Sequence, residues 1–266
     1  MPLRAVIFDL DDTLIKDEEL TCAAFDIAAR VAASRHPGLD CAEFARRARE
    51  ASERIFAAHP HAADWNALGI AAAEVLWAEF ADEEIAEWAP TFRKDAFSCA
   101  LRELGKEGDG TEESRAFARA RLEGECLMPG AQETLERLKG RCLLGLLTNG
   151  DARVQREKLK RSGLESSFDA VIVSGEKGVG KPRREIFDVV LRRLGVLASE
   201  AVMVGNSLAR DVAGARAAGF SAAIWLRVPG AEELADARPT HEVSQLIEIA
   251  DIVENQLMAS AAASAL

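Results

Sequence analysis

Five short runs of apolar and β-branched residues alternate with amphipathic segments, and this alternation limits the fold more than any other feature of the sequence. The runs are AVIFDL near the N-terminus and CLLGLLTNG, DAVIVSG, AVMVGNS and SAAIWLR in the second half of the chain. The segments that separate the later runs have helical periodicity and end at or near glycine, as helices often do. Strands that alternate with helices predict one parallel sheet with helices on both faces.

A region of different composition follows the first run. Residues 16–125 are rich in Ala, Glu and Arg and poor in β-branched residues. Four segments there each predict one helix: DEELTCAAFDIAARVAASRH, DCAEFARRAREASERIFAAH, WNALGIAAAEVLWAEFA and TEESRAFARARLEG. We therefore predict an α/β core formed by residues 1–15 and 126–250, an inserted all-helical domain at 16–125, and a C-terminal tail at 251–266.

Composition and charge exclude several classes of protein. The 266 residues carry a net charge of −11 without a Lys/Arg stripe, which argues against a nucleic-acid partner. The five cysteines are scattered without CxxC spacing. No segment approaches the ~20 apolar residues of a membrane span, and the first strand begins too close to Met1 for a signal peptide. These features predict a cytoplasmic protein with reduced thiols and no membrane contact, and they leave the oligomeric state open.

The first apolar run ends in a cluster of carboxylates, Asp9, Asp11 and Asp12. Like charges at this spacing need solvent or a cation. One carboxylate of a pair can attack phosphorus while the other moves protons to the leaving group and from water. A hard divalent ion such as magnesium can neutralise both. The alternative is a solvated acidic turn.

Two further polar clusters follow the second and third runs, at the carboxyl ends of predicted strands, where open α/β sheets bind ligands. Thr148 and Asn149 of the TNG sequence offer a hydroxyl and backbone N–H groups to an anion, although an Asn-Gly turn with Asp151 as helix cap has the same sequence. Lys181 of the GKP sequence can reach a phosphate or a carboxylate, or it can lie exposed as most lysines do.

The fourth cluster follows AVMVGNS and carries Asn206 and Asp211. Their side-chain oxygens could complete an oxygen-rich metal site. The same residues also suit an ordinary helix N-terminus, with Ser207 as the cap and Asp211 near the positive end of the dipole. Each of the four clusters has such an alternative, but their order, spacing and placement at strand ends agree with one shared site.

Together the four clusters resemble the motifs of the haloacid-dehalogenase-like hydrolase superfamily, whose first motif is DxDxT. The resemblance covers residues 1–15 and about 126–250, and 16–125 lies where the family's first-type helical cap is inserted. It implies an α/β fold with a Rossmann-like parallel sheet, helices on both faces, a mobile cap and a magnesium cofactor.

The resemblance also implies roles for individual residues. Asp9 would be the nucleophile that forms an aspartyl-phosphate, and Asp11 would be the general acid and base. Thr148 and Lys181 would hold the phosphoryl group with help from the Asn149 backbone. Magnesium would bind an Asp9 oxygen, the Asp11 carbonyl and a side chain of the fourth cluster.

The sequence departs from the family pattern at Asn206, because an aspartate usually follows the glycine of the fourth motif. An amide oxygen still ligates magnesium but adds no charge, so the affinity could fall, and Asp211 could compensate directly or through water. Asp11 favours phosphate transfer over carbon–halogen cleavage, since the dehalogenases of the superfamily lack an acid at that position.

These features predict a magnesium-dependent phosphomonoester phosphatase that acts on a small phosphorylated metabolite. Two alternatives remain open: a phosphotransferase similar to β-phosphoglucomutase, with nearly the same core residues, and a catalytically inactive binding protein, which Asn206 would explain. The helical insert does not identify the substrate, so sugar phosphates, sialic-acid phosphates, nucleotides and phosphoglycolate are all candidates.

Replacing the proposed acid and base tests this interpretation. We expect Asp11→Asn to lower phosphate release from phenyl phosphate by roughly 100- to 10,000-fold, because an amide cannot transfer the proton. The far-UV circular dichroism spectrum should not change, since the two side chains have nearly the same shape. Full activity in the variant would contradict the role assigned to Asp11.

Overall fold

The computed structural model describes residues 2–124, 126–228, 234 and 237–264, with 258–264 described through their backbone. The chain forms two compact units. The core unit contains Met1–Lys16, Cys126–Gly150 and Gln155–Leu266, and the helical unit contains Asp17–Glu125 and Asp151–Val154. Across the described ranges, no helix has both the length and the apolar character needed to cross a bilayer.

The strands all belong to the core unit: β1 (Ala5–Phe8), β2 (Leu143–Thr148), β3 (Ala170–Val173), β4 (Ala201–Gly205), β5 (Ala222–Leu226) and β6 (His241–Val243). They form one parallel sheet in the order β3-β2-β1-β4-β5-β6. The predicted parallel sheet is therefore confirmed, with all five predicted strands in it. The three-residue β6 was missed because HEV contains too little apolar sequence to stand out.

The helices, in chain order, are α1 (Asp17–Arg35), α2 (Cys41–Ala57), α3 (Ala62–Leu68), α4 (Ala72–Val75), α5 (Glu83–Glu103), α6 (Thr111–Glu123), α7 (Ala131–Leu138), α8 (Ala152–Ser162), α9 (Ser174–Lys177), α10 (Arg184–Leu194), α11 (Gly214–Ala218) and α12 (Leu246–Ser264). A π-helical turn, Leu208–Ala213, leads into α11.

Strand β1 lies at the centre of the sheet and is buried on both faces. Val6 and Phe8 pack into an apolar cluster that includes residues of α7 and α12, whereas Ala5 and Ile7 pack into a second cluster with residues of α10 and α11. The alternation follows from the two-residue period of a strand. Because β1 pairs with β2 on one side and β4 on the other, the loops after these three strands meet at the same edge of the sheet.

The helical unit differs from its prediction in the middle. The predicted helix over residues 65–81 is interrupted, since α3 ends at Leu68 and Gly69 adopts a left-handed conformation (φ 89°) that glycine tolerates without a steric penalty. The long helix α5 was not predicted, although Asp82 caps its first turn by accepting a hydrogen bond from the N–H of Ile85. It contains Pro90, which would ordinarily argue against a helix interior.

Residues 151–154 group with the helical unit rather than with the rest of α8. The reason is the buried Asp151 carboxylate, which accepts hydrogen bonds from the backbone N–H groups of Ala81 and Asp82. The same carboxylate accepts from the N–H groups of Arg153 and Val154 and therefore also caps α8.

The C-terminal boundary at residue 251 is wrong, because it falls within α12. Val253 is fully buried against the core unit. Asp251 and Glu254 form ion pairs with Arg137 of α7, at 2.7 and 2.8 Å. The apolar residues of α12 continue at helical spacing past residue 250, and Val253 and Leu257 pack into the apolar cluster of the core unit.

Truncating a core aromatic residue of α6 tests the packing of the helical unit. Phe117 is fully buried, with its ring centroid 4.7 Å from that of Phe25. We expect Phe117→Ala to lower the free energy of unfolding of this unit by about 3–5 kcal/mol, measured by urea denaturation with circular dichroism. Leu122→Ala is the matched control on the same helix, because Leu122 is 48% exposed, and it should change stability by less than about 0.5 kcal/mol. Equal effects would contradict the packing.

Candidate functional site

The loop after β1 is tightly folded and determines where its carboxylates point. The carbonyl oxygen of Leu10 accepts hydrogen bonds from the backbone N–H groups of Leu14 and Ile15, at 2.8 and 3.1 Å. Asp12 turns the chain with a left-handed backbone (φ 54°), a conformation that aspartate tolerates better than most residues. Asp12 is therefore a turn residue, whereas Asp9 and Asp11 contact two different lysines.

Lys181 lies between two buried carboxylates. Its Nζ is 2.6 Å from Oδ1 of Asp9 and 2.7 Å from Oδ1 of Asp211, and all three side chains are almost fully buried. The exposed surface lysine considered from sequence is thus excluded. The ammonium joins the first, third and fourth sequence clusters within the core unit.

The charges in this cluster alter the proton affinities of its members. Burial raises the pKa of the Asp9 carboxyl above its ordinary value, and the negative charge of Asp211 adds to the rise while Lys181 opposes it. Burial alone would lower the pKa of Lys181, but the carboxylates of Asp211 and Asp9 outweigh burial and raise it. Lys181 therefore keeps its proton, and two carboxylates share its single positive charge.

Asn149 holds the backbone of Lys181 in place. Its Oδ1 accepts a hydrogen bond from the Lys181 N–H at 2.8 Å, and its Nδ2 donates to the Lys181 carbonyl at 2.9 Å. This two-point contact links the loop after β2 to the segment before α10. Pro182 precedes α10, which begins at Arg184.

Two side chains of α8 that the sequence analysis missed, Gln155 and Lys158, contact the predicted site residues. Both bind Asp11, and Gln155 also binds Thr148. Lys158 Nζ is 3.0 Å from Oδ1 of Asp11, and Gln155 Nε2 donates to Oδ2 of Asp11 at 2.9 Å. Gln155 Nε2 also donates to Oγ1 of Thr148 at 2.5 Å. The amide of Gln155 therefore joins the first and second sequence clusters.

A signal for these two residues was present in the sequence. Val154 and Leu159 mark the buried side of α8, and Gln155 and Lys158 fall on the same side at helical spacing. Polar residues on an apolar face are unusual unless they have buried partners. Helical periodicity alone predicts an amphipathic helix here and does not single out Gln155 and Lys158.

The fourth cluster separates into two environments. Oδ2 of Asp211 accepts from the Ser207 N–H at 3.0 Å, and Ser207 caps the π-helical turn through the N–H of Arg210. Gly205 permits this approach, because a Cβ there would lie 2.2 Å from Oδ2 of Asp211. The side chain of Asn206 faces Thr13 instead, with a long 3.5 Å contact from Thr13 Oγ1 to its Oδ1.

The donor set fits magnesium by its chemistry. In the described parts of the chain, no group of three or more His, Cys, Asp or Glu is arranged to hold a metal ion. Magnesium, however, is often bound by one or two carboxylates together with water and substrate phosphate. Asp9 supplies a carboxylate that lies close to the negative charge of Asp211, and Asn206 and the Asp11 carbonyl supply neutral oxygens. A divalent cation would offset the excess negative charge.

Comparison with known proteins agrees with these features. The family model for haloacid dehalogenase-like hydrolases matches residues 3–219. A phosphoserine phosphatase from Thermus thermophilus is 36% identical over 252 residues, which cover 93% of this chain and 98% of that protein. The human N-acylneuraminate-9-phosphatase is 31% identical over 175 residues, covering 65% of this chain and 68% of that protein.

Solved structures show the same fold. The HAD-hydrolase YfnB from Bacillus subtilis, crystallised with magnesium, is 25% identical and gives a TM-score of 0.64, covering 95% of this chain and 99% of that one. An L-2-haloacid dehalogenase from Xanthobacter autotrophicus shares the fold at 21% identity, with a TM-score of 0.59 and coverage of 95% of this chain and 99% of that one. The chain therefore belongs to the haloacid dehalogenase-like hydrolase family and is a hydrolase of its phosphatase type.

Proposed function

We propose that this protein is a magnesium-dependent phosphomonoesterase that forms an aspartyl-phosphate on Asp9. The observation that supports the proposal most strongly is the cluster of Asp9, Lys181 and Asp211, which combines a nucleophile with a buried cation at the carboxyl end of β1. Asp11 favours phosphate chemistry over carbon–halogen cleavage, because the dehalogenases of the family lack this acid.

In the first step, a carboxylate oxygen of Asp9 attacks phosphorus. The bond from phosphorus to the leaving oxygen breaks, the electron pair remains on that oxygen, and Asp11, which enters this step protonated, transfers its proton to it and becomes a carboxylate. Lys181 and Thr148 hold the non-bridging phosphoryl oxygens. Because Gln155 donates to Oγ1 of Thr148, the hydroxyl keeps its own proton available for a phosphate oxygen.

In the second step, water attacks phosphorus and gives its proton to Asp11, which is now a carboxylate. The bond between phosphorus and Asp9 breaks, and inorganic phosphate and the free carboxylate are regenerated. Lys181 offsets negative charge throughout, and Asp211 keeps the ammonium beside Asp9.

Magnesium would be held by Asp9, the Asp11 carbonyl and the amide oxygen of Asn206, and it would supply charge neutralisation to the phosphoryl group. We assign Asn206 rather than Asp211 as the direct ligand. Both carboxylate oxygens of the buried Asp211 already have cationic or N–H partners, whereas Oδ1 of Asn206 makes, among the described residues, only a long contact with Thr13.

The proposed substrate is a small phosphorylated metabolite. L-Phosphoserine and N-acylneuraminate 9-phosphate are the first compounds to test, because phosphatases named for them are similar to this chain. Residues 16–125 would act as the family's cap, which selects the substrate and limits the access of water. The five free cysteines suit the reducing conditions of the cytoplasm.

Phosphate release from p-nitrophenyl phosphate, with and without magnesium, tests the reaction. We expect magnesium-dependent release that Asp9→Asn abolishes, since the amide cannot form the covalent intermediate. Asp12→Asn is the matched control: it removes the same charge three residues away, and asparagine also tolerates the left-handed backbone. We expect it to retain activity. No release from the wild-type protein would contradict the proposal and favour the inactive scaffold, while a slowly hydrolysed phosphoenzyme would favour the phosphotransferase.

Two substitutions at Asn206 test the metal ligand. We expect Asn206→Asp to lower the magnesium concentration for half-maximal activity on the order of tenfold, because the added charge strengthens metal binding. Asn206→Ala removes the ligand oxygen and should raise that concentration. A magnesium titration of activity for the two variants and the wild type ranks their half-maximal magnesium concentrations. Identical titrations would exclude Asn206 as a ligand.

A further inference from the structure

One face of α8 carries two polar side chains where apolar ones would be expected. The buried positions on this helix recur at helical spacing: Val154, Gln155, Lys158, Leu159 and Ser162. Gln155 is 1% exposed and Lys158 is 4% exposed. Burial at this level is uncommon for either residue type and calls for specific partners.

Those partners are the two oxygens of one carboxylate. Lys158 binds Oδ1 of Asp11 at 3.0 Å, and Gln155 donates to Oδ2 at 2.9 Å. Two donors on separate oxygens fix both the position of the carboxylate and its rotation about the Cβ–Cγ bond. The side chain of Gln155 is itself held against Gly150, where a Cβ would lie 2.8 Å from its Cγ and Cδ.

Stability does not explain this arrangement. An ammonium removed from water loses its hydration, and even a well-formed buried ion pair is often no more stabilising than apolar side chains of similar volume. Asp11 retains 25% of its side-chain exposure, so the pair is not enclosed. Oε1 of Gln155 is also buried without a hydrogen-bond partner within the described residues, which further destabilises the folded state.

We propose that Gln155 and Lys158 are positioning residues for Asp11, holding its carboxyl group in the orientation from which it transfers protons to and from the reacting phosphoryl group. The inference rests on the proposed function. Neither residue contacts the phosphoryl group in this mechanism: Lys158 acts through Asp11, and Gln155 acts through Asp11 and Thr148. Gln155 also donates a hydrogen bond to the hydroxyl of Thr148 and so fixes its position relative to Asp11.

A residue that acts through the proton donor has a distinctive kinetic signature. p-Nitrophenolate leaves readily without a proton, whereas phenolate is a poor leaving group and depends on proton transfer. Loss of a positioning residue should therefore harm phenyl phosphate hydrolysis much more than p-nitrophenyl phosphate hydrolysis. A general loss of structure would slow both reactions equally.

The test compares kcat and KM for both esters in Lys158→Met and Gln155→Met, which keep side-chain length while removing the donors. Lys160→Met is the matched control, because Lys160 lies on the same helix and is exposed. Asp11→Asn and the double variant Asp11→Asn/Lys158→Met complete a double-mutant cycle with phenyl phosphate. Circular dichroism establishes folding, and Lys158→Leu supplies the same comparison if Lys158→Met does not fold.

We expect kcat to fall about a hundredfold for phenyl phosphate and less than about tenfold for p-nitrophenyl phosphate in Lys158→Met, with KM nearly unchanged. Lys160→Met should match the wild type. In the Asp11→Asn background, Lys158→Met should cause no further loss, because the group it positions is already absent.

Equal losses for the two esters, or losses that add in the double variant, would overturn the positioning role. In that case the phosphatase proposal would stand, provided that Asp9→Asn remained inactive beside an active wild type. A wild-type protein that hydrolyses neither ester would overturn the proposed function, and the positioning role with it.

Discussion

The ammonium of Lys181 between the carboxylates of Asp9 and Asp211 is the interaction on which the rest of the site depends. Three charged groups leave water together here, and removing one member of such a cluster typically costs about 3–5 kcal/mol because it leaves a buried charge unpaired. The cluster therefore ties together the loop after β1, the loop after β4 and the segment before α10. Asn149 adds the loop after β2 by binding the backbone of Lys181 on both its N–H and its carbonyl.

Separate cations explain how the first loop accommodates its carboxylates. Asp9 points toward Lys181, whereas Asp11, two residues later, points toward Lys158 on α8. Each carboxylate therefore has its own positive partner, and the repulsion between them is offset locally. The division also separates their proposed tasks, because one carboxylate attacks phosphorus and the other carries protons.

The fourth cluster shows how one substitution can be accommodated by its surroundings. Asn206 replaces the usual aspartate, but the backbone that carries it is firmly held: its N–H donates to Thr13 Oγ1, and its carbonyl accepts from Trp225 Nε1. Asp211 contacts Lys181 and Ser207 and so stabilises the ammonium. The proposed cost of Asn206 is thus confined to magnesium affinity.

The local sequence pattern determined the fold class and the strand ends at which the four polar clusters lie. Period-two and helical patterns reveal five strands and most helices, because burial imposes those periods on each element separately. The helical unit was harder to predict, since Gly69 interrupts a run of helix formers whereas Pro90 lies inside the continuous helix α5. The continuation of α12 past residue 250 was also missed, and there Val253 and Leu257 pack into the apolar cluster of the core unit.

Only the tertiary structure decided which polar groups meet. Lys158 binds Asp11 across 147 residues of chain, and Lys181 binds Asp9 across 172. Such pairs follow from strand order, because a parallel sheet gathers the ends of β1, β2 and β4 at one edge whatever their separation in sequence. The sequence by itself therefore determined an α/β hydrolase with four polar clusters, and the folded chain decided that Gln155 and Lys158 contact Asp11 while Asp211 contacts Lys181.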